Sequence, residues 1–123
     1  MRLLAKSYWF LAALCLFLQG HETFAQDRVA LVIGNGKYVN ATPLLNPPND
    51  ARVVSKALSD IGFTVSQGTD LDRNGMEALL RQFLQKASSA KVALLFYAGH
   101  GMQVDGKNYL IPVDAKLESS SDL

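Results

Sequence analysis

The 123 residues include a single cysteine and two histidines. Cys15 lies in the N-terminal apolar stretch, so the sequence from residue 26 onward holds no thiol, and His100 is its only imidazole. A zinc site of the usual nitrogen and sulfur kind is therefore unavailable there, and no disulfide can brace the fold. Serine nucleophilic chemistry is also poorly served: Ser55, Ser59 and Ser66 are present, but none sits in a Gly-x-Ser-x-Gly elbow. Charge of one sign is lacking too. Twelve basic residues face eleven acidic ones, and no basic stripe exists to bind nucleic acid by counterion release. Gly34 and Gly36 follow an apolar run, yet the third glycine of the dinucleotide fingerprint is missing and no helix starts directly after them. No cofactor site is identified.

The N-terminus reads as an address. Arg2 and Lys6 precede an apolar stretch from Tyr8 to Leu18, and Thr23-Phe24-Ala25 ends on a small residue suited to cleavage. Residues 1–25 are expected to be a secretory signal peptide, which places the mature protein in the periplasm or outside the cell. The stretch is about half of the roughly 20 residues that a spanning helix needs, so an uncleaved anchor is the weaker reading. Leu14 before Cys15 is not the small residue of a lipoprotein signal. Cleavage would remove Arg2, Lys6 and Glu22, leaving ten residues of each sign and no membrane attachment.

Residues 26–123 alternate strand and helix patterns as one domain without repeats. Arg28 to Ile33 reads as a short buried strand closed by Gly34-Asn35-Gly36. Asn46 is placed to cap a helix with Pro47 or Pro48 in its first turn; Val53, Val54, Ala57, Leu58 and Ile61 recur at helical spacing, and Gly62 stops it. A strand begins at Phe63 to Val65. Asp72 or Asn74 then caps a second amphipathic helix whose broad face carries Met76, Leu79, Leu80, Phe83, Leu84 and Ala87. Right-handed crossovers make this order an α/β fold, a three-layer, doubly wound, mostly parallel sheet. Asp105-Gly106 between alternating residues signals a hairpin, Pro112 ends it, and the serine-rich end closes neither sheet nor helix. The sheet is expected to be incomplete in this chain.

The run Val92-Ala-Leu-Leu-Phe-Tyr-Ala98 reads as the central strand, buried on both faces, and delivers Gly99-His100-Gly101 to its carboxyl end. In open α/β sheets that edge forms the ligand crevice, at the switch point where strand order reverses. Flanking glycines and a strand-end position suit a histidine that does acid–base work better than one that merely packs.

Five segments together carry a resemblance: Arg28-Val-Ala-Leu-Val-Ile-Gly-Asn35, Leu45-Asn-Pro-Pro-Asn-Asp-Ala51, Leu58-Ser-Asp-Ile-Gly-Phe63, Tyr97-Ala-Gly-His-Gly101 and Asn108-Tyr-Leu-Ile-Pro-Val-Asp114. In this order and spacing the chain resembles the caspase-like cysteine peptidases over roughly Asp27 to Ala115, and the bacterial metacaspase-like branch fits best. The resemblance implies that His100 is the catalytic partner of a cysteine and that the Gly101 amide helps hold the oxyanion. It further implies that Asp50 receives an Arg or Lys side chain of a peptide or protein substrate, and that calcium can act as a regulator. Asp50 also falls in a helix's first turn, where an acidic residue suits the dipole regardless of substrate. The chain departs from the metacaspase pattern at Ala98, where a serine is common. A caspase histidine lies about 50 residues upstream of its cysteine, which would put the nucleophile near position 150, past Leu123. Residues 26–123 are accordingly expected to be the N-terminal portion of a peptidase domain, a cysteine-type endopeptidase in its complete form. The alternative is a non-catalytic caspase-like module that binds peptides or proteins.

Overall fold

The computed structural model describes residues 27–116; the expected signal peptide and Cys15 lie outside the described residues. Strand β1 spans Arg28–Gly34, helix α1 Pro47–Asp60, strand β2 Thr64–Thr69, helix α2 Arg73–Ala87 and strand β3 Val92–Ala98. A hairpin of β4 (Gly101–Val104) and β5 (Lys107–Leu110) follows. The three long strands form a parallel sheet in the order β2-β1-β3, with Leu31 beside Ser66 on one edge and Leu95 on the other.

The apolar run of β1 is what the two helices cover. Val29, Leu31 and Ile33 face α2 and meet Phe83, Leu79 and Ala87, while Ala30 and Val32 face α1 and meet Ala51 and Leu58. Alternate residues of one strand thus feed opposite cores, which is the three-layer arrangement expected from the sequence. Gly34 lets α1 come close: a β-carbon there would run into the Pro47 carbonyl and the Ala51 side chain. At the far end of α1 the Gly62 amide donates to the Ser59 carbonyl and the Phe63 amide to Leu58, with Gly62 at φ +88°. That is a Schellman cap, and Phe63 packs back onto the cluster containing Leu58. The Asp72 carboxylate caps α2 by accepting from the Gly75 amide at 2.7 Å. Asp105 and Gly106, both at positive φ, make the hairpin turn that the Asp-Gly pair promised.

Four expectations are corrected. The central, doubly enclosed strand is β1, not β3: Val92 and Leu95 are 44% and 46% exposed, because β3 pairs only with β1 among the described residues. An apolar run specifies a strand but not how many neighbours it has. Helix α1 buries Ala51, Ser55 and Leu58 and leaves Val53 and Ile61 exposed, since its close approach to β1 admits small side chains at the contact. In α2 only Phe83 is buried, and Leu80 and Leu84 stay exposed, Leu80 sharing a cleft with Leu95 of β3. Asn46 occupies the cap position of α1, but its side chain makes no capping bond; its carbonyl accepts from the Asp50 amide at 2.9 Å instead.

Two substitutions test this packing. Leu31→Ala removes a wholly buried side chain and is expected to cost about 2–5 kcal/mol in urea unfolding. Ser55 is buried with no partner for its hydroxyl, so Ser55→Ala is expected to be neutral or stabilising by up to ~1 kcal/mol. A loss above that for Ser55→Ala would mean that the hydroxyl is engaged.

Candidate active site

The loops at the carboxyl edge of the sheet are tied together by buried polar groups. Asn35, fully buried just beyond β1, accepts the Leu71 amide on its Oδ1 at 2.9 Å and donates from Nδ2 to the Leu71 and Ile111 carbonyls, each at 3.3 Å. Its own amide donates to the Ala98 carbonyl at 2.8 Å, so one residue joins the ends of β1 and β3, the β2–α2 loop and the segment after the hairpin. Asp70, at φ +51°, accepts the Gly36 and Lys37 amides on one oxygen at 2.9 and 3.0 Å. Burial alone would raise its pKa; the two amides and the Lys37 ammonium outweigh that and hold it below the ordinary carboxylate value.

On this base the chain leaves β3 through Gly99, whose φ of +157° and close surroundings both require glycine. A β-carbon there would lie 2.5 Å from the Tyr97 hydroxyl and 2.6 Å from that of Tyr38. His100 comes next and is held at three places. Its amide donates to the Tyr38 hydroxyl at 2.7 Å, and its carbonyl accepts the Tyr97 hydroxyl at 2.8 Å and the Ile111 amide at 3.2 Å. Its ring packs against that of Tyr38, centroids 4.5 Å apart and planes at 52°, and Nε2 lies 2.7 Å from the Thr42 carbonyl.

A carbonyl oxygen only accepts, so Nε2 carries the proton. In the neutral ring Nδ1 is then the bare lone pair, and it has no hydrogen-bond partner among the described residues. The two phenols are 3.0 Å apart. The Tyr38 hydroxyl accepts from the His100 amide and has Tyr97 and the Ile111 carbonyl within donor reach, while the Tyr97 hydroxyl reaches the His100 and Ile111 carbonyls. Burial, reinforced by Tyr38, pushes the Tyr97 phenol well above its ordinary pKa, so it remains a donor throughout the working range.

Asp50 lies in the first turn of α1, at the same edge of the sheet, with an exposed side chain. No bond joins it to His100. Its neighbouring cations are engaged elsewhere, Arg52 with Asn49 and Lys56 with Asp60, and no ion pair occupies the Asp50 carboxylate among the described residues. Sequence reasoning missed Tyr38, Thr42, Asn35 and Asp70. The one signal available was a polar residue between two glycines at a strand end, Asn35. A separate apolar cleft of about 260 Å³ lies between α2, β3 and the hairpin, lined by Met76, Leu80, Leu95 and Tyr109 among others. Arg73 and Glu77 at its rim pair with each other at 3.6 Å, and neither His100 nor Asp50 reaches it.

A doubly wound sheet carrying a tethered, half-exposed histidine on the loop after a parallel strand defines an α/β domain of the caspase-like class. The caspase domain model matches residues 27–122, and the chain belongs to that family. It is also 34% identical over 94 residues to the human mucosa-associated lymphoid tissue lymphoma translocation protein 1, covering 76% of this chain and 11% of that protein. The mouse homolog is 34% identical over 97 residues, covering 79% of this chain and 12% of that protein. The chain thus spans about one ninth of the length of these curated relatives.

Two variants test the site's scaffold. Gly99→Ala is expected to cost on the order of 1–3 kcal/mol, read by urea unfolding, because both φ and the two hydroxyls oppose a β-carbon. Asp70, with its folded pKa lowered, contributes stability that is fully present above the unfolded carboxylate range and lost as pH falls through the lowered value. Asp70→Asn should therefore flatten the fall in stability below about pH 4, and an unchanged acid limb would contradict the assignment.

Proposed function

We propose that this domain is the histidine-bearing part of a cysteine-type endopeptidase of the metacaspase-like branch, cutting proteins or peptides after Arg or Lys. The observation that carries the reading is the His100 ring: Nε2 bound to the Thr42 carbonyl and Nδ1 bare at the carboxyl edge of the sheet. Such a nitrogen takes the proton of a cysteine thiol, and the thiolate attacks the scissile carbonyl. The amide of Gly101, next in the chain, receives the oxyanion, and the protonated Nδ1 then gives its proton to the leaving amine. A water deprotonated by the same nitrogen hydrolyses the thioester. Throughout, Thr42 holds the imidazolium in place, as the third member of a triad does elsewhere. The free, solvent-facing carboxylate of Asp50 supplies the charge that would favour a basic side chain before the cut. On caspase spacing the nucleophilic thiol would lie about 50 residues after His100. We further propose, from Arg2, Lys6 and the apolar stretch Tyr8 to Leu18, that the protein is exported to the periplasm or outside the cell.

The test is to read the gene in frame past the codon for Leu123, express the encoded protein and assay Arg-, Lys- and Asp-containing fluorogenic peptides. A cysteine about 50 residues beyond His100, cleavage after Arg and Lys, and a loss of roughly 10³-fold or more in His100→Ala are expected. Asp50→Asn should lower kcat/KM for the basic peptides by about tenfold or more, with the loss mainly in KM. Another residue at the cysteine position, or cleavage untouched in His100→Ala, would contradict the peptidase reading. The first of these would favour a peptide-binding module.

A further inference from the structure

The peptide unit between His100 and Gly101 is trans, so its carbonyl and its N–H point in opposite directions. The carbonyl is drawn inward by the Tyr97 hydroxyl and the Ile111 amide. The Gly101 N–H must therefore face the other way. The hairpin register agrees independently. The Ile111 amide bonds the His100 carbonyl just outside the Gly101–Leu110 pair, which makes that pair a non-hydrogen-bonded one and turns the Gly101 N–H away from β5. The preceding peptide is fixed as well, because the His100 N–H is spent on the Tyr38 hydroxyl. The two hydroxyls are bonded to each other and sit against Gly99, where no β-carbon could fit.

We infer that Tyr38 and Tyr97 are positioning residues whose paired hydroxyls clamp the two peptide units around His100, aiming the Gly101 amide outward and the imidazole toward Thr42. This rests on the peptidase reading for what the amide receives, though not for the clamp itself. Neither tyrosine touches a reacting atom. Tyr97 acts on the Gly101 amide through the His100 carbonyl, and Tyr38 acts on the imidazole through the His100 backbone and ring contact. A general packing role would need only the rings; the clamp needs the oxygens.

The distinction is measurable on the full chain labelled with ¹⁵N, comparing wild type with Tyr38→Phe and Tyr97→Phe. In wild type the His100 amide is expected to exchange slowly and the Gly101 amide at least tenfold faster than Met102, its ladder neighbour. Tyr38→Phe should speed His100 exchange at least tenfold while Leu31 and Val32 in β1 keep theirs. Tyr97→Phe should shift the Gly101 amide resonance and the His100 ring nitrogens, again with β1 unmoved. A Gly101 amide as protected as Met102, or hydroxyl removal that leaves the His100 and Gly101 signals unchanged, would overturn the clamp. If β1 loosens equally in both variants, the tyrosines are structural and the inference fails. No cleavage is measured here, so failure of the clamp is distinct from failure of the peptidase reading, which the peptide assay decides.

Discussion

Strand β1 is enclosed on both faces by helices and on both edges by parallel strands, and its five apolar residues from Val29 to Ile33 are between 0% and 2% exposed. That enclosure fixes where the strand stops. Gly34, Asn35 and Gly36 emerge at one defined point, and every loop that shapes the candidate site is bonded to them. Asn35 reaches the end of β3, the loop before α2 and the segment after the hairpin; Asp70 holds the Gly36 and Lys37 amides. The site is anchored by the least exposed strand among the described residues.

From that anchor follows a division of labour at the sheet edge. Backbone groups do the orienting, and side-chain hydroxyls and amides do the fixing. His100 meets the Thr42 carbonyl, the Tyr38 and Tyr97 hydroxyls and the Ile111 amide, with no carboxylate partner among the described residues. A carbonyl orients the imidazole without placing a full negative charge beside it, and Nδ1 has no hydrogen-bond partner among the described residues.

The elements were legible because their signals are local. The apolar run of β1, the Gly62 stop, the Asp72 cap and the Asp105-Gly106 turn each act within a few residues, and each lies where its chemistry puts it. Burial was less legible because it is a property of neighbours. Val92 to Ala98 is as apolar as a central strand, yet its far edge is unpaired among the described residues, while Val53 turns outward because small residues face β1. His100 was visible through its flanking glycines. Its partners were not: they lie 58 and 62 residues away at Thr42 and Tyr38, and a backbone carbonyl leaves no residue-type signature. Gly99 is the exception, since its need for glycine reports the two hydroxyls pressed against it.

The central claim is that the fold holds His100 in one tautomer, protonated at Nε2 and bare at Nδ1. The ¹⁵N shifts of the two ring nitrogens, recorded above the pH at which the ring is neutral, test it most directly. The account predicts a protonated, hydrogen-bonded Nε2 and a distinctly unprotonated Nδ1. A ring protonated at Nδ1, or two averaged signals from rapid exchange between tautomers, would contradict it.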